Sequence, residues 1–322
     1  MLSVMRWFVY PEQTPTQQIP FFTAAGHMAL ELIPPCMCFL HHLSRQLQTT
    51  VVATEADYFL VPALVNLQQG PLPAELEPDL ERYLFSLHHF AAAPERHVIF
   101  LLGDNNELPR VCRDSIVFMP SCRKSPAIFP MHYFADPPIS ALRPIEECDI
   151  QASFQGAMTG YGLRQRLIQA LEGCKRVDVM YRVTDGYFYV AYDAQQQGPL
   201  RAEFNDLLAR SRFVFCPRGA GLTSVRFYET LAYGRLPILI ADETGLPLER
   251  VIPYEQFVVR VPEEQVEHWE KYVDAFLMAH PDLNVCSSVA QNTYRLWFTM
   301  ETVARMVEES ILERSSLPKS VK

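Results

Sequence analysis

The chain has 322 residues, 49% hydrophobic and 20% charged, which is enough to bury a sizeable core and has the length of about two domains. Its 13 glycines and 25 prolines are too few for a chain that is disordered throughout. A formal charge of −9 repels phosphate backbones and anionic lipid, so nucleic acid is not an expected partner.

Cysteine use and hydropathy bear on the compartment. The eight cysteines are widely spread, without the paired C-x-x-C spacing of a zinc site, which favours buried thiols. No run of ~18 apolar residues occurs, and the first residues lack the pattern of a leader. The sequence therefore predicts no integral membrane segment and a cytoplasmic protein. We also allow for a homo-oligomer.

Short apolar runs alternate with helical patterns along the chain. Continuous apolar runs are typical of parallel strands covered on both faces, and they predict strands at residues 58–61, 97–102, 115–119, 152–155, 177–181, 213–216, 236–240 and 257–261. Apolar residues at helical spacing predict helices over 163–171 and 266–277 and one long terminal helix over 285–313. The sequence is thus typical of an α/β protein.

Prolines and glycines suggest where the chain is interrupted. Pro137, Pro138 and Pro144 break the periodicity before residue 148, which predicts a domain boundary there. We predict an amino-terminal domain over 1–144, a second domain over 145–284, and a terminal helix with a frayed tail over 285–322 that packs back on the amino-terminal domain. A second loop is predicted over 185–199.

The most informative segment covers residues 213–240 and indicates a strand, a glycine-rich turn, a helix and a strand. The turn after a parallel strand lies at the carboxyl edge of the sheet, where ligands of open α/β folds bind. Gly219 and Gly221 let the backbone approach a ligand, and Thr223 or Ser224 can cap the helix. Because a helix start binds anions, the segment predicts a phosphate site.

Positive charge is concentrated around the same turn. Residues 210–235 contain one acid, Glu229, and five arginines: Arg210, Arg212, Arg218, Arg226 and Arg235. Arginine suits bidentate contact with diphosphate oxygens. The alternative interpretation is a plain tight turn, with Arg226 and Glu229 forming a surface ion pair. The sequence contains neither a dinucleotide fingerprint nor a P-loop nor a nucleophile elbow at this turn.

This segment resembles the signature of exostosin-like glycosyltransferases. That signature has a C-P-x-G turn, an R-x-x-E helix and a G-x-x-P strand, matched here by Cys216, Pro217, Gly219, Arg226, Glu229, Gly234 and Pro237. Upstream, Phe154, Gly156 and Arg164 resemble the family's F-x-G…R element, and residues 55–62 resemble its E-A-D strand.

The resemblance implies a GT-B-like fold, in which two Rossmann-like domains face each other across a cleft and the second holds the sugar nucleotide. It implies an inverting transferase that moves a sugar from a nucleoside diphosphate sugar, usually a UDP-sugar, to a saccharide or glycoconjugate acceptor. The resemblance also implies that no metal and no cofactor beyond the nucleotide sugar are needed, and the absence of a D-x-D pair from the sequence is consistent with this.

Arginines and the helix start would then neutralise the leaving diphosphate, while Glu229 would accept hydrogen bonds from the ribose hydroxyls. The donor-binding residues implied are Arg164, Arg218, Gly219, Ala220, Gly221, Thr223, Ser224, Arg226 and Glu229.

An inverting transferase also needs a general base to take the proton of the acceptor hydroxyl. Asp104 follows the strand predicted over 97–102 and is the first candidate. The other candidates are His27, beside Gly26, and Glu31, one helical turn further on. A turn-forming aspartate explains Asp104 equally well.

Two other functions stay open at this point. A catalytically inactive glycan- or nucleotide-binding subunit could keep the donor motif without a base. Another enzyme on a doubly wound sheet would bind no nucleoside diphosphate.

Overall fold

The computed structural model describes residues 5–10, 21–22, 39–67, 72, 76–105, 107–123, 125, 128–132, 143–158, 162–174, 178–184 and 194–315. The chain divides into two compact units. Unit 1 comprises Met1–Phe134, Glu243–Leu248 and Trp297–Lys322, and unit 2 comprises Ala135–Asp242 and Glu249–Leu296. The sequence predicts domains that end at residues 144 and 284. Because a domain is a part of the chain that folds independently, these boundaries stay predictions.

Strands and helices alternate along both units. The strands are β1 (Trp7–Val9), β2 (Phe21–Phe22), β3 (Tyr58–Leu67), β4 (His97–Gly103), β5 (Ile116–Met119), β6 (Ile128–Pro130), β7 (Ile150–Ala157), β8 (Val179–Thr184), β9 (Ser211–Pro217), β10 (Leu236–Ile240) and β11 (Val259–Arg260). The α-helices are α1 (Phe39–Gln46), α2 (Leu76–Ser86), α3 (Leu163–Gly173), α4 (Ala194–Arg210), α5 (Val225–Ala232), α6 (Trp269–Ala279), α7 (Leu283–Trp297) and α8 (Val303–Ser315).

The sheet of unit 1 is parallel, with its described strands in the order β1, β3, β4, β5, β6 and with β2 also beside β3. Strand β4 is buried from His97 to Leu102, as expected of a parallel strand covered on both faces. The described strands of unit 1 are arranged across the sheet in their order along the chain. Their order therefore has no reversal that would mark a ligand-binding edge.

The sheet of unit 2 is also parallel and has the order β11, β10, β9, β7, β8. The chain enters at β7, moves to β8 on one side, and returns to β9 on the other side before continuing to β10 and β11. The strand order therefore reverses between β7 and β9. In open α/β sheets, ligands bind outside the carboxyl ends of the strands at this switch point. Both units thus have the parallel α/β architecture that the sequence predicts.

The long terminal helix is interrupted. Helix α7 ends at Trp297, and α8 begins at Val303 after a short 3-10 turn over Met300–Thr302. Thr299 and Thr302 form a capping box, which starts a new helix. Within unit 1, Trp7 Nε1 donates to Glu308 Oε1 of α8 at 2.9 Å. The single helix predicted over 285–313 is therefore two helices.

The loop predicted over 185–199 is wrong from residue 194 onward. Helix α4 begins at Ala194 and includes Gly198 and Pro199. The helix packs against β7 and β9, and its Leu208 is fully buried. Packing of the apolar residues of α4 against the sheet outweighs the backbone hydrogen bond that is lost at Pro199. Such tertiary packing is not contained in the local helix propensity of the sequence.

A buried histidine in unit 1 is expected to make folding depend on pH. His97 Nδ1 lies 2.8 Å from the carbonyl oxygen of Ala93, and Nε2 lies 2.7 Å from the hydroxyl of Tyr10. Because a carbonyl only accepts, we assign the proton to Nδ1, which leaves Nε2 to accept from Tyr10. The ring is fully buried and stacks on Phe59 with centroids 4.7 Å apart. Burial lowers the pKa of His97 to about 4.

We expect the free energy of unfolding to fall as the pH drops from 6.5 towards 4. As the pH falls below 6.5, the unfolded chain binds a proton at His97, whereas the folded chain binds one only near pH 4. The contribution of His97 to the free energy of unfolding is therefore complete only above pH 6.5 and is lost as the pH falls towards 4. In urea titrations at pH 7 and pH 5, His97→Gln should reduce the difference in unfolding free energy by about 2 kcal/mol. A variant that keeps the full wild-type difference would rule out His97 as the source.

Candidate functional site

The switch point of unit 2 carries the strand, turn, helix and strand predicted over 213–240. Strand β9 ends at Pro217, the turn follows, and α5 begins at Val225 and leads to β10. Cys216 is buried with its Sγ 3.7 Å from Thr230 Oγ1, and burial raises the pKa of this thiol to about 12. The thiol therefore stays protonated and packs as a structural group.

Arg164 links the ends of β7 and β9. It lies in the first turn of α3 and is buried, with Nη1 donating to the carbonyl of Ala157 at 2.9 Å and Nε to that of Arg218 at 3.3 Å. A Cβ at Gly219 would lie 3.1 Å from Arg164 Nη2, closer than ordinary van der Waals contact. The sequence thus places a guanidinium against the glycine turn, at the switch point where a ligand is expected.

Arg226 is a second cation at the same edge. Its Nη2 donates to the carbonyl of Gln155, and its guanidinium lies 4.8 Å from the ring centre of Phe154. A Cβ at Gly156 would lie 2.5 Å from Nη2, so a larger residue there would displace the guanidinium of Arg226. Among the described residues, the buried Nε and Nη1 have no hydrogen-bond partner, and burial lowers the pKa of Arg226. Such a cation favours a nearby anion.

Glu229 is buried and pairs with a residue that the sequence did not indicate. Its Oε1 lies 2.7 Å from Nη2 of Arg201 in α4. The surface ion pair between Arg226 and Glu229 in the alternative interpretation is wrong, because Arg226 is directed towards Gln155 and Phe154. The burial of Glu229 also contradicts its placement at the surface in that interpretation.

Arg218 is engaged by a second residue that sequence reasoning missed. Glu263 accepts two hydrogen bonds from Arg218, at 2.7 Å from Nε and 2.9 Å from Nη2. Glu263 is fixed in turn, since its N–H donates to Asp242 Oδ1 at 3.0 Å and its Oε1 accepts from the N–H of Asp242 at 3.3 Å. Arg218 is therefore directed towards the segment after β11. The only feature of the sequence that could have indicated Glu263 was the acidic stretch Pro262-Glu263-Glu264.

The start of α5 differs from the prediction. Ser224 is the N-cap residue with an extended backbone, φ −137° and ψ 125°, but its side chain makes no capping hydrogen bond. Ser224 is therefore confirmed at the cap position, but without the predicted hydrogen bond from its side chain, and Thr223 lies outside that position. Both side chains are buried beside the turn formed with Ala220 and Gly221.

The arginines counted around the turn do not all reach it. Arg210 pairs with Asp149, which precedes β7, and Arg212 donates to Gln151 Oε1 at 3.4 Å. Arg235 is fully buried and donates to the carbonyl of Ala209 at 2.7 Å, near the end of α4. These three residues serve the opposite end of the sheet. The local excess of positive charge in the sequence therefore overstates the number of arginines at the site. Two arginines outside that segment, Arg164 and Arg201, do lie at the site.

The candidate bases lie in the amino-terminal part of the chain. Asp104 is half-buried directly after β4, at the carboxyl edge where the sequence places it. Its carbonyl accepts from Ser121 Oγ at 3.3 Å, and the next residue, Asn105, accepts from the N–H of Glu107 at 2.8 Å. His27 and Glu31 lie outside the described residues. The role of Asp104 stays a prediction.

Among the described residues, no group of three or more His, Cys, Asp or Glu side chains could hold a metal ion. In the same ranges, no helix is long and apolar enough to cross a membrane.

Comparisons with known proteins point to one family. Residues 37–276 match the family model of the Exostosin GT47 domain. The chain is 41% identical over 63 residues to an exostosin-1 homolog of Caenorhabditis elegans, a match covering 20% of this chain and 16% of that protein. It is 35% identical over 74 residues to a probable beta-1,4-xylosyltransferase of Arabidopsis thaliana, covering 23% and 17%. The matches thus span about one sixth of these relatives' length.

The chain is also similar to solved structures. A HepE protein of Anabaena in complex with UDP aligns with 12% identity and a TM-score of 0.47, over 96% of this chain and 100% of that one. A glycosyltransferase of Rickettsia africae aligns with 11% identity and a TM-score of 0.46, over 99% and 100%. Both TM-scores are below 0.5, so the family model alone identifies the family.

Proposed function

The chain belongs to the Exostosin GT47 family, and on that premise we propose that it is a glycosyltransferase that moves a sugar from a nucleoside diphosphate sugar to a saccharide or glycoconjugate acceptor. The donor is a UDP-sugar bound by unit 2. The reaction inverts the anomeric carbon and needs no metal and no other cofactor. The protein acts in the cytoplasm.

The pair of guanidinium groups at the β7/β9 switch point carries this proposal. Arg164 and Arg226 lie against Gly219 and Gly156, where a side chain would fill the space. The diphosphate of a nucleotide sugar offers four non-bridging oxygens that share its negative charge, at a spacing that guanidinium groups match. Among the described residues, the buried Nε and Nη1 of Arg226 have no hydrogen-bond partner, which supports an anion there. Arg218 contributes its backbone to the same turn.

The proposed chemistry is a single displacement. A general base, with Asp104 the first candidate, takes the proton of the acceptor hydroxyl while the oxygen of that hydroxyl attacks the anomeric carbon. The bond to the diphosphate breaks, and negative charge develops on the leaving oxygen. Arg164, Arg226 and the first N–H groups of α5 stabilise that charge, which is the task a metal ion performs elsewhere.

Titration with UDP and UDP-sugars, run beside assays of transfer and of donor hydrolysis, tests the proposal. We expect UDP to bind and raise the unfolding midpoint, and we expect turnover with one donor to survive EDTA. Binding without turnover over a broad acceptor panel would favour a catalytically inactive binding subunit. Loss of activity in EDTA with rescue by Mn²⁺ would overturn the metal-free mechanism.

A further inference from the structure

We propose that Arg201 is a positioning residue of the donor site, which holds the carboxylate of Glu229 ready to accept hydrogen bonds from the ribose of a nucleoside diphosphate. The proposal rests on the proposed function, since it assigns a role at the same site. Arg201 lies in α4, outside every motif of the sequence.

The contact between Arg201 and Glu229 is specific. Nη2 of Arg201 lies 2.7 Å from Oε1 of Glu229, and the side chains are 28% and 8% exposed. The pair joins α4 to α5. With Oε1 bonded to Arg201, the carboxylate has one defined orientation, and its second oxygen can accept from a hydroxyl. A carboxylate that binds a ribose needs this orientation before the ligand arrives.

The two guanidinium groups near Glu229 are divided between different partners. Arg201 and Arg226 lie 5.2 and 5.8 Å from the ring centre of Phe204, so one aromatic ring lies close to both cations. Arg226 donates to the carbonyl of Gln155, and Arg201 bonds the carboxylate. Arg201 thus forms the ion pair with Glu229, whereas among the described residues Nε and Nη1 of Arg226 have no hydrogen-bond partner.

A purely structural role explains the pair less well. A buried carboxylate loses hydration, and replacing a buried ion pair with apolar side chains of similar volume is often neutral or stabilising. Glu229 lies on a helix whose neighbouring residues, Phe227, Tyr228 and Leu231, are already buried and apolar. A charged pair among them is accounted for by a polar ligand, whereas the core itself would not require one.

Helix α4 provides a matched control. Arg210 ends the same helix and also pairs with a carboxylate, Asp149, but that pair lies at the amino end of the sheet, where β7 begins. Arg210→Gln therefore removes the same side chain and a more exposed arginine–carboxylate ion pair from the same helix, away from the proposed ligand.

Dissociation constants for UDP and for inorganic pyrophosphate test the proposal. We expect Arg201→Gln to weaken UDP binding about tenfold and to leave pyrophosphate binding unchanged, because pyrophosphate has no ribose. Arg201→Lys, which retains the charge, should recover part of the affinity. The double variant of Arg201→Gln and Glu229→Gln should bind UDP no worse than Glu229→Gln alone, and Arg210→Gln should match the wild type. In turnover, the donor KM should rise while kcat stays constant.

Several results would overturn the role of Arg201 while leaving the proposed function intact. They are wild-type UDP affinity in Arg201→Gln, additive effects in the double variant, or an equal loss of UDP and pyrophosphate, which would mean direct phosphate contact. A wild-type protein that binds neither ligand would instead refute the donor site. If Arg201→Gln strongly lowers the unfolding midpoint, the UDP affinity of Arg201→Lys relative to that of the wild type decides whether Arg201 positions Glu229.

Discussion

Replacing Asp104 with asparagine is expected to lower kcat by ~10²- to 10⁴-fold while leaving the affinity for UDP close to that of the wild type. Asparagine has nearly the shape of aspartate but cannot take a proton. The base acts on the acceptor hydroxyl, so its loss slows transfer without removing a contact to the donor. Initial rates at saturating donor, together with UDP titrations of the same preparations, give both quantities.

Asp114→Asn is the control for that experiment. Asp114 is exposed in the turn before β5, in the same unit as Asp104, and its replacement should leave kcat unchanged. A near-normal kcat in Asp104→Asn would move the role of the base to His27 or Glu31. The same outcome would support the turn-forming role that the sequence also allows for Asp104.

Arg164→Ala is expected to weaken the binding of both UDP and pyrophosphate by about 1.5–3 kcal/mol, the range for hydrogen bonds to charged groups. Its guanidinium lies against Gly219 at the switch point, where the diphosphate is proposed to bind. The two ligands share the diphosphate, so both should lose affinity by similar amounts. Calorimetric titration measures each dissociation constant directly.

Arg164 also bonds the carbonyls of Ala157 and Arg218, so its removal can destabilise unit 2. Arg164→Lys keeps the positive charge and should destabilise unit 2 less. It should therefore retain part of the affinity for UDP and pyrophosphate. Arg166→Ala is the control, because Arg166 lies two residues further along α3 in an exposed ion pair with Glu267. Equal losses in Arg166→Ala and Arg164→Ala would show that the fold, rather than a phosphate contact, is being measured.

Much of the fold follows from the sequence because its signals are local. Continuous apolar runs predicted β4, β9 and β10 because strands covered on both faces need apolar residues at every position. The glycines at 219 and 221 indicated the turn between β9 and α5. Strands β1, β2 and β6 were missed because they are two or three residues long, too short to show a period.

The partners of the site residues could not be predicted in the same way. Arg201 reaches Glu229 from α4, and Glu263 reaches Arg218 from the segment after β11, so each pair depends on how distant elements pack. Spacing along the chain carries no signal for such contacts. The cluster of arginines misled for the related reason that residues close in sequence, such as Arg210 and Arg218, lie at opposite ends of β9.

A crystal structure of the protein with UDP tests the central claim most directly. We predict that the diphosphate lies at the carboxyl ends of β7 and β9, within hydrogen-bond distance of Arg164 or Arg226 and of backbone N–H groups in the turn over residues 218–224. The ribose should lie against Glu229. UDP bound at any other edge of unit 2, or to unit 1 alone, would contradict the proposed donor site.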